Sequence, residues 1–233
     1  MIKLPVLWLG LTVICQAPEP VKEPDLAREL KRRADLDQEC RNAVIRFMAE
    51  HKLVYPLVPA SLEPAVAAAY KALDDKWHEV DRDNQAWIKT VLAKHGWPGK
   101  SLVGPKGAFR AWLLVQHATD VEFQEACLRK MEAAARGEVE SKHLAYLKDR
   151  ILVTRGKKQI YGTQATYANG KVVLFPIEEE ATVDERRKAI GLEPLRDYVK
   201  HLEESNKSPA SPKPGKADPK PPSRGADGRA PTP

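Results

Sequence analysis

Apolar residues between residues 25 and 154 recur at intervals of three and four, which places them on one face of successive α-helices. The longest such stretch runs from Leu62 to His95, after the suitable N-cap Ser61, and ends at Gly96 and Pro98. Four more helices are predicted at about 26–48, 106–117, 119–137 and 140–154, the third of these beginning with a Thr119/Glu122 capping box.

The pattern changes after residue 156. Two stretches of strand-like residues, 159–167 and 171–177, flank Asn169-Gly170, a dipeptide typical of tight hairpin turns. A short helix capped by Asp184 and a last helix opened by Pro194 follow. The sequence therefore predicts a mainly α (α+β) fold, a bundle-like domain of about six to seven helices with one small β-hairpin at about 159–177.

The first residues resemble an export signal. Lys3 gives a positive start, and the 12 residues from Leu4 to Cys15 are mostly apolar. That stretch is shorter than the about 20 residues that span a bilayer. We therefore expect a signal peptide over 1–17, cleaved after Ala17, and an exported protein, periplasmic or secreted. Lipid attachment at Cys15 and an uncleaved membrane anchor are the alternatives.

A linker (18–24) and a single domain (25–204) are predicted to follow, and then a Pro/Lys-rich tail (205–233). The tail contains no Leu, Ile, Val or aromatic residue, so it cannot bury a core and is expected to be disordered. It carries six basic and two acidic residues, which account for most of the net charge of +6. Because the domain itself is close to neutral, no nucleic-acid partner is expected. Weak contact with an anionic surface is the alternative function for the tail.

Whether the cysteines can form a disulfide depends on the compartment in which the protein resides. Removal of the leader leaves Cys40 and Cys127, which could form a disulfide in an oxidising environment or remain two small buried thiols. The chain has no CxxC or HExxH motif and no cysteine-histidine cluster. The sequence therefore predicts neither a metal site nor a cofactor.

Candidate chemistry comes from polar residues on apolar helix faces, where burial is costly unless each group is hydrogen-bonded. We expect the Gln116-His117 block and the Asp149-Arg150 block to line one polar site, closed by residues of the hairpin. The candidate catalytic residues are His95, His117, Asp149 and Arg150, and the candidate ligand-binding residues are Trp97, Gln116, Tyr161, Thr163 and Gln164.

Several of these residues lie in recognisable blocks. The blocks are His95-Gly-Trp-Pro98, Ala111-Trp-Leu-Leu-Val-Gln-His-Ala118, Phe123-Gln124, Tyr146-Leu-Lys-Asp-Arg150 and Gln159-Ile-Tyr-Gly-Thr-Gln164, together with Asp37-Gln38 and Arg41. They resemble the signature of a bacterial family of unknown function, DUF6624, over about residues 35–198. One departure is Asp120-Val121, where the family usually has Asp-Pro. The resemblance implies no activity, but it favours a pocket shared across the family.

Two functions remain open. The first is a binding or structural module outside the cytoplasm, whose polar blocks fix the core and one recognition surface. The second is a hydrolase or transferase-like enzyme with His117 or His95 as general base and Asp149 and Arg150 in support. Convergence of the candidate residues on one concave site would favour the enzyme or a ligand pocket, and their dispersal through the core would favour a structural role.

Overall fold

The described part of the chain, in a computed structural model, comprises residues 21–53, 57, 61–168 and 171–207. It contains seven α-helices and a small antiparallel hairpin near its C-terminal end, which confirms the mainly α fold. The helices are α1 (Pro24–Glu50), α2 (Pro64–His95), α3 (Lys100–His117), α4 (Val121–Glu132), α5 (Ser141–Thr154), α6 (Val183–Ala189) and α7 (Leu195–Lys207). The predicted signal peptide, the Asn169-Gly170 turn and the tail beyond residue 207 lie outside the described residues.

Three helix starts differ from the prediction. α2 begins at Pro64 rather than just after Ser61, because proline lacks an N–H and suits the first helical turn. α3 begins at Lys100 rather than near residue 106, because Gly104 adopts a positive φ of 73° and lets one helical segment follow another. The N-cap of α4 is Asp120 rather than Thr119, since the Asp120 carboxylate accepts a hydrogen bond from the Phe123 N–H at 2.9 Å.

The hairpin strands are shorter than predicted. β1 (Ala165–Ala168) pairs with β2 (Lys171–Leu174), and Gln159 forms only an isolated bridge with Ile177. α6 begins at Val183, so Asp184 is not its N-cap. The Asp184 carboxylate instead accepts from the N–H of Leu195, the first residue of α7, at 2.7 Å. α7 continues past the predicted domain end at residue 204.

The core lies around α3, which packs against α1, α2, α4 and α5. The side chains of Leu30 (α1), Ile88 (α2), Leu114 (α3) and Leu147 (α5) are each at most 1% exposed. Burying a side chain of this size contributes about 1.5–3 kcal/mol to folding. Because residues 111–117 of α3 are all buried, the polar residues in this half of the helix are placed by packing rather than by solvent.

Cys40 and Cys127 are free thiols, so the structure does not contain the disulfide that the sequence left open. Cys127 is fully buried in the apolar core, whereas Cys40 is half-buried on α1, outside the buried core cluster. Burial raises the pKa of both thiols, to about 12 for Cys127, so neither is prone to ionise. In the described part of the chain, no helix has an apolar stretch that could span a bilayer.

Candidate functional site

The carboxylate of Asp37 is the centre of a hydrogen-bonded group where α1, α2 and α3 meet. It accepts from His117 Nδ1 at 2.8 Å, from Arg41 Nη2 at 3.0 Å and from Gln38 Nε2 at 2.8 Å. Arg41 Nη2 also donates to the Asp81 carboxylate at 2.7 Å. Asp37 and Arg41 are four residues apart on α1, so they share one helix face. This arrangement connects three helices through charged groups within the protein interior.

Gln116 and Arg150 extend the group towards α5. With the amide oriented so that both groups are satisfied, the Gln116 oxygen accepts from Arg150 Nε at 2.6 Å and from Nη2 at 3.3 Å. Among the described residues, Arg150 forms no ion pair with a carboxylate. We call Asp37, Arg41, Asp81, Gln116, His117 and Arg150 the buried network. None of these six residues is more than 6% exposed.

Burial determines the charge states in the buried network. It lowers the pKa of His117 to about 4, with the charge of Arg41 acting in the same direction. Burial acts to raise the pKa of Asp37, but the interactions with His117 and Arg41 outweigh it, and the pKa is lowered. Burial lowers the pKa of Arg150 to about 10, which leaves it charged at neutral pH. His117 is therefore neutral there and donates from Nδ1 to Asp37.

Because neutral His117 carries its proton on Nδ1, the lone pair on Nε2 is unused. Its Nε2 atom is buried and has no hydrogen-bond partner among the described residues. A neutral imidazole with its Nδ1–H held by a carboxylate and its Nε2 free has the arrangement of a general base. The arrangement is sealed from solvent, however, because His117 is only 2% exposed.

Asp149 organises the segment before the hairpin. Its carboxylate accepts from the backbone N–H of Ile160 at 2.7 Å, of Tyr161 at 3.1 Å and of Thr163 at 3.0 Å, and from the Thr163 hydroxyl at 3.0 Å. Gln159 adds bonds to the backbone of Gln164, donating to its carbonyl oxygen at 2.9 Å and accepting from its N–H at 2.8 Å. We call Asp149, Gln159, Thr163 and Gln164 the hairpin clasp.

The last two helices fasten the hairpin clasp to the domain. The buried Arg187 donates to the carbonyl oxygens of Tyr161 and Glu193, each at 2.6 Å. The Tyr198 hydroxyl donates to the carbonyl oxygen of Thr163 at 2.8 Å, and the Arg187 guanidinium lies over the Tyr198 ring. Backbone groups that the short strands leave unpaired are thus satisfied by side chains.

A small cleft lies on the other half of α3. Its cavity volume is about 30 Å³, room for one or two water molecules, and it is bounded by the link before α3, by α3 itself and by the start of α5. Its aromatic lining consists of Trp97, Phe109, Trp112 and His143, and its charged lining consists of Lys100, Glu138 and Glu140. We call this site the aromatic cleft.

The rings of the aromatic cleft form a continuous wall. Trp112 stacks on His143 with ring centroids 4.3 Å apart, and Phe109 lies 5.5 Å from Trp112. Trp112 Nε1 donates to the His143 carbonyl oxygen at 2.9 Å. Trp97 Nε1, in contrast, is buried and has no acceptor among the described residues. An unsatisfied donor of this kind costs about 1–3 kcal/mol.

The polar groups of the aromatic cleft carry opposite charges. Lys100 pairs with Glu140, and a Glu138 carboxylate oxygen accepts from the Ser101 N–H at 2.9 Å at the start of α3. Burial lowers the pKa of His143 to about 4, and nearby Lys142 acts in the same direction. His143 is therefore neutral and can offer one donor and one acceptor. In the described ranges, no group of three or more His, Cys, Asp or Glu residues is arranged to hold a metal ion.

The residues proposed from the sequence fall into separate places. Gln116, His117 and Arg150 meet in the buried network, and Trp97 lines the aromatic cleft. Asp149, Thr163 and Gln164 form the hairpin clasp together with the Tyr161 backbone, and no described hydrogen bond joins these residues to the buried network. His95 is half-buried at the end of α2 and makes no described hydrogen bond with the buried network. The candidates thus do not converge on one concave site.

Several residues of these sites were not among the sequence candidates. Asp37 and Arg41 sit among the apolar core positions of α1, at i,i+4 spacing, which is a readable signal of a buried acid-base pair. Asp81 adjoins the buried Val80 of α2 in the same way. Phe109 and Lys100 carried no such signal, because only the fold places them beside the residues that precede α5.

Comparison with known families agrees with the resemblance that the sequence blocks indicated. A family of unknown function (DUF6624) matches residues 65–208, which is more than half of the chain. The chain therefore belongs to this family, and the matched range covers α2 to α7, the aromatic cleft and the hairpin clasp. No curated protein and no solved structure matches the chain.

Proposed function

We propose that this chain is an exported binding module whose ligand occupies the aromatic cleft, while the buried network and the hairpin clasp hold the helices that form the cleft. The observation that carries this proposal is the aromatic lining of the cleft, where Trp97, Phe109 and Trp112 lie beside His143. Ligand sites are typically concave and aromatic, with a few polar groups that fix orientation.

The buried polar groups support this division of roles. Asp149 uses both carboxylate oxygens to hold backbone N–H groups, and Asp37 accepts from three side chains. Groups used in this way stabilise a single arrangement of helices and are not free to act on a ligand. The aromatic cleft is elsewhere, on the N-terminal half of α3.

The proposal is tested by indole N–H signals in the NMR spectrum of the domain from residue 18 to the C-terminus. Phenol, tetramethylammonium, acetate and methyl glucoside serve as probes. At least one probe should shift the signals of Trp97 and Trp112 while leaving those of Trp77 and Trp87 in place. A Trp97→Phe variant should lose affinity, and Trp77→Phe, whose Nε1 is also buried without a partner, should not. If no probe moves the Trp97 and Trp112 signals, the binding function is rejected.

Export is tested on the full chain expressed in a Gram-negative host. Fractionation should place the protein outside the cytoplasm, and mass spectrometry of its N-terminus should show the loss of residues 1–17. An acylated Cys15 would identify a lipoprotein. An intact Met1 on cytoplasmic protein would contradict export.

A second candidate function is hydrolysis or group transfer with His117 as general base, which its free Nε2 and its Asp37 partner favour. Because the buried network is closed to solvent, a substrate reaches Nε2 only if the helices separate. Turnover of p-nitrophenyl acetate, phosphate and glycosides should then fall at least about 100-fold in His117→Gln, the usual contribution of a general base. Equal turnover in the variant and the parent protein would exclude this function.

A further inference from the structure

We infer that the junction of α1 with α3, formed by the contact between Asp37 and His117, is an acid-sensitive switch: proton uptake by His117 moves the C-terminal half of α1 away from α3. The switch is independent of the proposed binding function, because it involves the buried network and not the aromatic cleft. Three features of the junction support it: an unpartnered ring nitrogen, the charges around that ring, and the few apolar side chains that hold this half of α1.

The closed junction has no place for a second proton on His117. The neutral ring already donates from Nδ1 to the Asp37 carboxylate at 2.8 Å, and Nε2 has no hydrogen-bond partner among the described residues. Protonation turns Nε2 into a buried donor without an acceptor, because the residue is only 2% exposed. Such a donor reaches water only when a neighbouring element moves.

The charges that face the ring do not compensate for an added proton. The Asp37 carboxylate accepts from the ring and also from Arg41, and Arg41 donates in turn to Asp81 on α2. Burial lowers the pKa of the imidazole to about 4, and the positive charges of Arg41 and of Arg150 on α5 act in the same direction. From α4, the neutral amide of Gln124 donates to backbone carbonyl oxygens at this end of α3. A proton added to the ring therefore destabilises the closed junction.

The C-terminal half of α1 is the neighbouring segment that moves at the lowest cost. Between residues 37 and 50 of this helix, Val44 is the only buried apolar residue, whereas the first half buries Leu30 and Ala34. The facing segment of α3, residues 111–117, is buried throughout. A segment with few buried apolar side chains has a small free energy of local opening. Movement of this half of α1 is therefore the least costly way to bring water to the imidazole.

The direction of the pH effect follows from the two states of the junction. In the closed state the pKa of His117 is about 4, and in the open state the imidazole is in water, where its pKa is about 6.5. The open state therefore binds more protons between these values and becomes more populated as the pH falls. From pH 7 to pH 5, the ratio of open to closed molecules should rise about 20-fold.

The test is amide hydrogen exchange of the chain from residue 18 to the C-terminus at pH 7 and pH 5, followed by NMR and corrected for the intrinsic exchange rate at each pH. Protection of the amides in residues 41–50 of α1 should fall about 20-fold. These amides should also be less protected than those in residues 147–151 of α5, which exchange through global unfolding. Equal protection of the two segments, or no change with pH, would overturn the switch.

Two histidine variants separate local opening from global unfolding. His117→Gln removes the titrating group, so the α1 amides should lose their pH dependence, and a response that persists would exclude His117 as its cause. His143→Phe removes the buried histidine of the aromatic cleft. It should leave the response of the α1 amides at about 20-fold while reducing the response of the α5 amides.

The parent protein and His143→Phe decide the question even where His117→Gln does not fold. If His143→Phe changes the pH response of the α1 and α5 amides alike, the opening is global and the inference is wrong. If it changes only the response of the α5 amides, the half of α1 next to His117 opens by itself.

Discussion

The buried network and the aromatic cleft occupy the two halves of one helix, α3, and each contains a histidine whose pKa burial lowers to about 4. In the buried network, His117 is fixed by Asp37 and shielded from water. In the aromatic cleft, His143 stacks on Trp112 beside an open space. Each site contains a buried polar atom without a described partner, His117 Nε2 or Trp97 Nε1, so the difference lies in the surroundings: the network is closed, whereas the cleft borders solvent. Groups that hold one another in a closed interior indicate architecture, whereas an aromatic wall beside a cleft can receive a ligand.

The largest effect is expected from breaking the buried network. Arg41→Met leaves the Asp37 and Asp81 carboxylates buried without their guanidinium partner. The free energy of unfolding measured with urea should fall by about 3–5 kcal/mol. Arg28→Met removes an exposed ion pair with Asp25 and should cost no more than about 1 kcal/mol. A comparable small loss for Arg41→Met would mean that the buried network is not structural.

Acid should destabilise the domain through both histidines. Because each folded pKa is lowered from 6.5 to about 4, the unfolded chain binds more protons between these values. Stability is then fully present above about pH 6.5 and decreases as pH falls towards 4, by about 3 kcal/mol per histidine. His117→Gln and His143→Phe should each remove about half of this loss. A flat wild-type profile would contradict the buried neutral state.

A smaller effect is expected from the Gln116 amide. Gln116→Leu removes the oxygen that accepts from Arg150, so a buried guanidinium loses its acceptor, at a cost of about 1–3 kcal/mol in thermal or urea unfolding. Adding Arg150→Met should recover part of that loss, because the unpaired charge is then absent. Gln85→Leu on α2 removes a half-buried amide that donates to the Asp120 carboxylate at 3.2 Å, so it measures the loss of one ordinary hydrogen bond and should cost only about 0.5–1.5 kcal/mol. If the double variant is no more stable than Gln116→Leu, the pairing is not the cause.

The smallest effects compare two tryptophans of the aromatic cleft. Trp112→Phe removes the bond to the His143 carbonyl oxygen and should destabilise the domain by about 1–2 kcal/mol. Trp97→Phe removes a donor that has no described partner, and this gain offsets the loss of the larger ring, so the free energy of unfolding should change by no more than about 0.5 kcal/mol. Equal losses in both variants would show that Trp97 Nε1 is satisfied within the protein.

The helices could be predicted from the sequence because hydrophobic periodicity is a local property. The apolar positions between Val80 and Leu92 and the Asn169-Gly170 turn signal both depend on neighbours in sequence. The helix boundaries were predicted less well. Asp120 rather than Thr119 caps α4, and Gly104 permits an earlier start of α3, because caps and kinks depend on single backbone angles that several residues could provide.

The candidate sites could be predicted from the sequence only in part. The sequence identified Gln116, His117 and Arg150 as costly buried groups, since polar residues on apolar faces need partners. It could not choose the partners. Asp37 lies 80 residues before His117, and Asp149 faces the backbone of the hairpin clasp although it adjoins Arg150 in the chain.

By itself, the sequence determined the class of fold, the family and the set of residues that must be satisfied when buried, because these follow from composition and local spacing. Only the tertiary structure decided which carboxylate meets which base, and which donor is left without a partner. Hydrogen bonds depend on distances of about 3 Å, and such distances between Asp37 and His117, or between Trp112 and His143, are set by how the helices pack around α3.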